Sequence, residues 1–186
     1  MLEKKVCMLG DYGVGKRSLT SRFEDPYAGE NYLRSICVRI CKRMFEVDGR
    51  SFKMVVWDIM DDDRFRTMIS LLRGMQGYLL VADGTRPATL DRVRVIFERI
   101  WSFEQPRADG EETASYVHFP YRKIPFLLLL NKCDLTAEWK IDPSFLRMLA
   151  NKAWPVEVVS AKENKGVDEA FLRLAREMLA SDNPAK

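Results

Sequence analysis

Short apolar runs alternate along the chain with segments in which apolar residues recur every three or four positions. The runs predict six strands, at about 4–9, 36–47, 51–59, 78–82, 125–130 and 156–159. The amphipathic segments predict five helices, at about 16–24, 64–73, 89–103, 145–153 and 167–180. This order is typical of an α/β fold, with a mostly parallel six-stranded sheet covered by helices on both faces.

Asp48-Gly49 interrupts this alternation, because it joins the second and third strands directly. The dipeptide is a strong signal for a two-residue turn, so one antiparallel hairpin is predicted at an edge of the sheet. Residues 1–180 are predicted to form a single domain, and residues 181–186 a flexible tail.

Residues 104–123 are polar and rich in turn-forming residues at their start, so we predict an exposed insert in the domain. The more apolar stretch at 116–121 is interpreted as folding back onto the domain, with a partner-binding patch as the alternative. His118 is the only histidine of the chain, and no nucleophile is near it in sequence, so it receives no catalytic role.

Composition narrows the class of protein. A hydrophobic content of 47% over 186 residues allows one domain with a full core. The net charge of +3 comes without a basic run and does not indicate a nucleic-acid partner. No segment is apolar over a membrane-spanning length, and four cysteines without Cys-x-x-Cys spacing indicate reduced thiols. A cytoplasmic protein is therefore expected.

Residues 10–18, Gly-Asp-Tyr-Gly-Val-Gly-Lys-Arg-Ser, lie between the first strand and the first helix. Their glycine and lysine spacing matches a phosphate-binding loop in the context that such a loop requires. Lys16 would reach the outer phosphates, whereas Arg17 stands where the motif has Ser or Thr, with Ser18 one place late. Four backbone amides would form an anion nest, those of Gly13, Val14, Gly15 and Lys16.

Two further motifs follow buried strands and indicate which base is bound: Asn-Lys-Cys-Asp at 131–134 and Ser-Ala-Lys at 160–162. The carboxylate of Asp134 can accept two hydrogen bonds from guanine ring nitrogens, which adenine cannot supply. Asn131 would tie the loops together and the stem of Lys132 would pack on the base. The Ala161 amide would meet the guanine oxygen. The predicted nucleotide site also includes the flanking residues Ser160 and Lys162.

With these motifs the sequence resembles the Ras superfamily of small GTPases, most closely its Rab branch, over nearly the whole chain. Further matching stretches are Trp57-Asp58, Arg64-Phe65-Arg66-Thr67 and Arg73-Gly74. The resemblance implies a phosphate-loop NTPase of the small G-domain type that binds GTP and GDP. It also implies Mg²⁺, a glutamine-positioned water for hydrolysis, and effectors or regulators bound through switch loops at 25–40 and 59–75.

The sequence departs from the family around the metal and the γ-phosphate. Arg17 replaces the hydroxyl that ligates Mg²⁺, and a guanidinium cannot ligate a cation. We therefore expect weak or altered Mg²⁺ binding, with Arg17 either adding its charge near the phosphates or pointing away. Ser18 is the lesser candidate for the missing ligand. Tyr12 stands where the family has a small residue, and it would crowd the space of the attacking water.

The switch loops carry further departures. Asp58 is retained and could hold a metal through water, but Asp61 replaces the phosphate-sensing glycine and Asp62 the water-positioning glutamine. Asp62 could act as a general base, although repulsion by the γ-phosphate argues against this. Ser35 keeps the ligating oxygen of the family threonine. Tyr27 is the nearest candidate for the aromatic that stacks on guanine.

The sequence thus indicates a Ras- or Rab-type guanine-nucleotide-binding protein with an atypical Mg²⁺ site and weak or absent GTP hydrolysis, acting as a signalling or trafficking switch. The alternative is a constitutive protein-binding module with a structural nucleotide or none. Residues 183–186 carry no prenylatable cysteine, so anchoring by that route is not expected.

Overall fold

The computed structural model describes residues 2–24, 31–33, 38–59, 72, 74–104 and 124–182, without the side chains of 31–33 and 101–104. The strands are β1 (Leu2–Gly10), β2 (Asn31–Leu33), β3 (Val38–Val47), β4 (Arg50–Ile59), β5 (Gly77–Asp83), β6 (Phe126–Asn131) and β7 (Val156–Val158). The helices within this part of the chain are α1 (Lys16–Phe23), α2 (Ala88–Glu104), α3 (Pro143–Asn151) and α4 (Val167–Asp182).

All strands belong to one sheet in the order β2-β3-β4-β1-β5-β6-β7. Among the strands of the described residues, only the β2–β3 and β3–β4 pairs are antiparallel, which confirms the predicted fold class. The six predicted strands are present, and β2 is a seventh in a stretch that the sequence pattern assigned to a polar loop. Residues 31–33 are extended because they pair with residues 38–40 of β3 at the edge of the sheet.

The central strands and the hairpin form where local sequence dictates them. Every residue of β5 and β6 is buried, as expected of continuous apolar runs in the middle of a parallel sheet. Asp48 and Gly49 both have positive φ, 50° and 72°, as a two-residue hairpin turn requires. The turn sets the β3–β4 register, with Val47 opposite Arg50.

The core lies in two layers, one on each face of the sheet. On one face α1 packs with α4, and the ring centroids of Phe23 and Phe171 are 4.4 Å apart. On the other face α2 contributes Phe97, which lies 4.7 Å from Phe126 and 4.8 Å from Trp154. Helices therefore cover both faces, as predicted from their apolar stripes.

The last helix ends later than the predicted domain boundary at residue 180. It continues to Asp182, whose Oδ1 accepts a 2.6 Å hydrogen bond from the Nζ of Lys4 in β1. Lys4 is buried, so this ion pair holds the end of α4 against the sheet. Residues 181 and 182 are thus part of the last helix, whereas the predicted tail begins at residue 181.

The cysteines of the described residues are free thiols, Cys7, Cys41 and Cys133, as the sequence predicted. Burial raises the pKa of Cys41 to about 12, so this thiol stays protonated and acts as a core residue. The predicted helix at 64–73, the insert after Glu104 and the end of the tail fall almost entirely outside the described residues.

Candidate nucleotide-binding site

The candidate site lies at one edge of the sheet, where the parallel strands end. β1 ends at Gly10, β5 at Asp83 and β6 at Asn131, and the register places Asp83 beside Asn131. Because parallel strands carry their carboxyl ends on the same edge, the phosphate loop and the Asn-Lys-Cys-Asp motif emerge next to each other.

The phosphate loop packs too closely for side chains at two of its glycines. A Cβ on Gly10 would lie 2.2 Å from the carbonyl oxygen of Val81 in β5. A Cβ on Gly15 would lie 2.2 Å from Nδ2 of Asn131, and Gly15 also has a φ of +101°. The loop can adopt this path only because glycine lacks a Cβ and tolerates positive φ.

Lys16 begins α1 and turns its ammonium back over the loop. Its Nζ donates hydrogen bonds to the carbonyl oxygens of Gly10 and, at 3.0 Å, of Asp11. The side chain is largely buried, and the positive end of the α1 dipole lies beside it. Together they make this corner of the site attractive to an anion.

Asn131 joins the three motifs through one amide group. Its Nδ2 donates a 2.9 Å hydrogen bond to the carbonyl of Val14 in the phosphate loop. Its Oδ1 accepts a 3.0 Å hydrogen bond from the backbone amide of Ala161. Since Asn131 is 2% exposed, water does not compete for these bonds.

Asp134 is poised as an ionised acceptor. The hydroxyl of Ser160 donates a 2.7 Å hydrogen bond to its Oδ1, and the ammonium of Lys162 lies 3.8 Å from its Oδ2. The hydrogen bond from Ser160, assisted by the positive charge of Lys162, holds the pKa of Asp134 below its usual value. A carboxylate in this state can accept hydrogen bonds from a bound base.

A cavity of about 600 Å³ lies between the motifs, within the size range of small-ligand sites. Eight of the predicted nucleotide-site residues line it: Gly15, Arg17, Ser18, Asn131, Lys132, Asp134, Ala161 and Lys162. Ser21, Arg22 and Leu135 line it as well and were missed. Helical spacing could have found the first two, because positions 18, 21 and 22 share one face of α1.

Arg22 has a further role in shaping the cavity. Its Nε donates a 2.9 Å hydrogen bond to the carbonyl of Ala161, and its Nη2 donates one of 2.8 Å to the carbonyl of Lys162. These bonds connect α1 to the loop after β7. No motif pointed to them, because the residues lie about 140 positions apart in sequence.

Asp83 anchors a second ionic group at the same edge. Its side chain is fully buried, and its Oδ2 lies 2.6 Å from Nζ of Lys132 and 2.8 Å from Nε of Arg86. Burial alone would raise the pKa of Asp83, but hydrogen bonds from Lys132, Arg86 and Thr85 outweigh it and hold the pKa far below its usual range. Asp83 and Arg86 are also residues that the sequence did not single out.

Magnesium is the ion that the family resemblance implies, and Asp58 in β4 is the matching carboxylate. Its Oδ1 is buried and has no hydrogen-bond partner within the described part of the chain. Burial raises the pKa of this carboxyl, although three neighbouring cationic side chains, Lys16, Arg39 and Arg17, act to lower it. The orphaned oxygen could face a cation, but the surrounding charge opposes one.

Ser18 is the other described residue that the sequence offers as a metal ligand. Arg17 offers no lone pair, and the exposed Ser18 lines the cavity with residues of the base motifs. Among the residues that the structure describes, no group of three or more His, Cys, Asp or Glu side chains could hold a metal. Of the predicted metal ligands, the structure thus describes Asp58 and Ser18, while Ser35 lies outside the described residues.

Tyr12 projects from the tip of the phosphate loop, with 88% of its surface exposed. Its phenol is thus free to occupy space above the loop. Three other predicted site residues, Tyr27, Ser35 and Asp62, lie outside the described residues, and so do most of switch loops 25–40 and 59–75. Their predicted roles stay predictions.

A phosphate loop at a strand-to-helix turn, joined by Asn131 to an acidic base-recognition loop, defines a nucleotide-binding α/β protein of the phosphate-loop class. The Ras family model matches residues 5–180. The chain belongs to the Ras family, and its class is that of the GTP-binding small GTPases of Rab type.

Curated relatives agree with this assignment. The chain is 30% identical over 179 residues to the Ras-related protein Rab-1C of Dictyostelium discoideum, covering 95% of this chain and 81% of the relative. It is 32% identical over 176 residues to the GTP-binding protein ypt2 of Schizosaccharomyces pombe, covering 94% and 80%. The resemblance inferred from the motifs is confirmed. No helix in the described ranges is long and apolar enough to span a bilayer.

Asp83→Asn is expected to lower the free energy of unfolding by about 1–3 kcal/mol at pH 7, because Lys132 and Arg86 lose a buried ionised partner. The pKa of Asp83 is lower in the folded chain than in the unfolded chain. Its stabilisation is therefore complete above about pH 5 and is lost as the pH falls through the folded pKa. Urea unfolding at pH 7 and pH 3 should show the difference between the two proteins beginning to narrow at the lower pH, since the loss starts below the unfolded pKa and is complete only below the folded pKa.

The control is Glu138→Gln, at an exposed carboxylate after the same motif, and it should change stability by less than about 0.5 kcal/mol at both pH values. A difference between wild type and Asp83→Asn that stays constant from pH 7 to pH 3 would contradict the assigned ionisation.

Proposed function

We propose that this chain is a Rab-type switch that binds GDP and GTP, depends little on Mg²⁺, and hydrolyses GTP slowly or not at all. The observation that carries the proposal is the bridge made by Asn131. It joins the phosphate loop at Val14 to the base loop at Ala161 across one cavity. A site with both halves in place suits a nucleoside phosphate rather than a free phosphate.

The base half of the site supports guanine as the base. Asp134 is ionised, positioned by Ser160 and part of the cavity lining. A guanine offers two N–H donors on the edge that a carboxylate would meet, whereas adenine offers none in that arrangement. Charge-assisted hydrogen bonds of this kind discriminate strongly between bases because the wrong base leaves the carboxylate unpaired.

The charged side chains around Asp58, the candidate magnesium carboxylate, support weak magnesium binding. Arg39 of β3 stands opposite Asp58 of β4 in the hairpin register and is 7% exposed. Its guanidinium pairs with Glu24 at 2.5 Å. Among the described side chains, this corner holds the cations of Lys16, Arg17 and Arg39 beside the carboxyl groups of Asp58 and Glu24, and the cationic side chains oppose the binding of a divalent cation.

The same region supports slow hydrolysis. Arg17 removes a metal ligand, and the exposed Tyr12 stands where attacking water and an incoming arginine would need space. Each loss raises the barrier, and about 1.4 kcal/mol corresponds to a tenfold slower rate. The proposal extends to protein effectors or regulators at switch loops 25–40 and 59–75, to a cytoplasmic location and to no nucleic-acid partner.

Asp134→Asn is expected to weaken GDP binding about a hundredfold, because two charge-assisted hydrogen bonds to the base are lost. Isothermal titration with GDP and inosine diphosphate checks the reason. Wild type should prefer GDP, whose extra amino group meets Asp134, and the variant should not. Glu163→Gln, at an exposed acid beside the site, is the matched control. Equal affinity of wild type for GDP and ADP would contradict the guanine assignment.

Arg17→Ser is expected to create a magnesium-dependent protein, since it places a hydroxyl directly after Lys16. Wild type should lose less than about tenfold in GDP affinity when EDTA replaces Mg²⁺, and the variant more than about a hundredfold. Arg94→Ala, on the exposed face of α2, should behave as wild type. A large magnesium dependence of wild type would refute this part of the proposal.

Single-turnover hydrolysis of bound GTP by the isolated protein is expected on the order of 10⁻⁴ per second or slower. Release of labelled phosphate gives the rate, and rapid release would overturn the expectation.

Thermal unfolding with GDP and with a non-hydrolysable GTP analogue tests the switch itself. Equal shifts would contradict a switch and favour a constitutive module, because a ligand that binds two states equally shifts neither.

A further inference from the structure

Arg86 lies just after β5, outside the nucleotide-binding motifs, and contacts two parts of the site. Its Nε lies 2.8 Å from Oδ2 of the buried Asp83, and its Nη2 donates a 2.9 Å hydrogen bond to the carbonyl oxygen of Tyr12. The same Asp83 oxygen lies 2.6 Å from Nζ of Lys132. One buried carboxylate therefore links the phosphate loop, through Arg86, to the base-recognition motif.

The contact at Tyr12 gives the phosphate loop a second external attachment. Asn131 already holds the loop at the carbonyl of Val14. Arg86 lies beside the intervening residue, since a Cβ on Gly13 would be 3.4 Å from its Nη2. The segment that carries the anion-binding amides is thus held on both sides of Gly13. Gly13 has a φ of +71°, and an unattached loop would readily leave this backbone conformation.

The other end of the network acts on Lys132. This residue has a φ of +70°, a left-handed conformation that is unfavourable for a side chain larger than glycine. Its Nζ is held by the ion pair with Asp83, and Thr85 donates a 2.7 Å hydrogen bond from its hydroxyl to the second carboxylate oxygen. Arg86 and Thr85 together hold the Asp83 carboxylate in place, and that carboxylate in turn holds Lys132.

We propose that Arg86 is a positioning residue that preorganises the phosphate loop and slows nucleotide release. This inference rests on the proposed function and deepens it by naming a residue that determines how firmly the phosphates are held. Arg86 contributes in two ways. It keeps the Tyr12–Gly13 peptide in its binding geometry, and it adds a fixed positive charge beside the anion nest.

Dissociation of a fluorescent GDP derivative from the full chain tests the proposal. Arg86→Ala should release it about tenfold faster, and Arg86→Lys should be intermediate because an ammonium cannot span Asp83 and Tyr12 as a guanidinium does. Arg94→Ala is the matched control, since Arg94 lies on the exposed face of α2 and pairs only loosely with Glu98, at 3.9 Å. It should release at the wild-type rate.

Two further readouts separate positioning from general destabilisation. Arg86→Ala should reduce the preference for GDP over GMP about fivefold or more, because the diphosphate depends more on the loop, whereas a loosened fold would weaken both ligands equally. Hydrogen exchange in the nucleotide-free protein should rise at residues 10–16 in Arg86→Ala and not in Arg94→Ala.

The outcomes distinguish this inference from the proposed function. Suppose that wild type binds GDP and that Arg86→Ala matches wild type in its GDP release rate, in its preference for GDP over GMP and in hydrogen exchange at residues 10–16. The role of Arg86 is then overturned and the proposed function stands. If wild type binds no guanine nucleotide, the proposed function fails, and the exchange at residues 10–16 alone decides whether Arg86 holds the loop.

Discussion

The side-chain amide of Asn131 is the interaction on which the site depends. It is buried and hydrogen-bonded on both atoms, so removing it would leave the Val14 carbonyl and the Ala161 amide without their partner away from water. It also requires glycine at position 15, because a side chain there would collide with the amide of Asn131. Phosphate loop, base loop and the carboxyl end of β6 therefore form one unit whose parts cannot shift independently.

Charge divides this unit into two unlike halves. On the base side, an ionised Asp134 is held by Ser160 in the form that recognises hydrogen-bond donors. On the metal side, Asp58 is buried among cationic side chains, with Arg39 opposite it across the hairpin. The first half thus presents a carboxylate acceptor, while the second places arginine side chains around a buried carboxyl group.

Prediction from sequence succeeded where one local pattern dominates and failed where partners are distant. The apolar runs of β5 and β6 and the Asp48-Gly49 turn each carry their own signal, and all three are present as expected. The strand at 31–33 has no pattern of its own and exists through pairing with β3. The end of α4 likewise extends to Asp182, where a partner from β1 holds it.

Sequence alone determined the class of fold, the family and the base-recognition motifs, because each depends on residue types at short, fixed spacing. Only the tertiary structure decided how the loops are held. Arg22 meets Ala161 and Arg86 meets Tyr12 across separations that no local pattern encodes. The physical reason is that a guanidinium binds whichever acceptors lie within hydrogen-bonding distance. The folded sheet, rather than the order of residues in the chain, brings those acceptors near it.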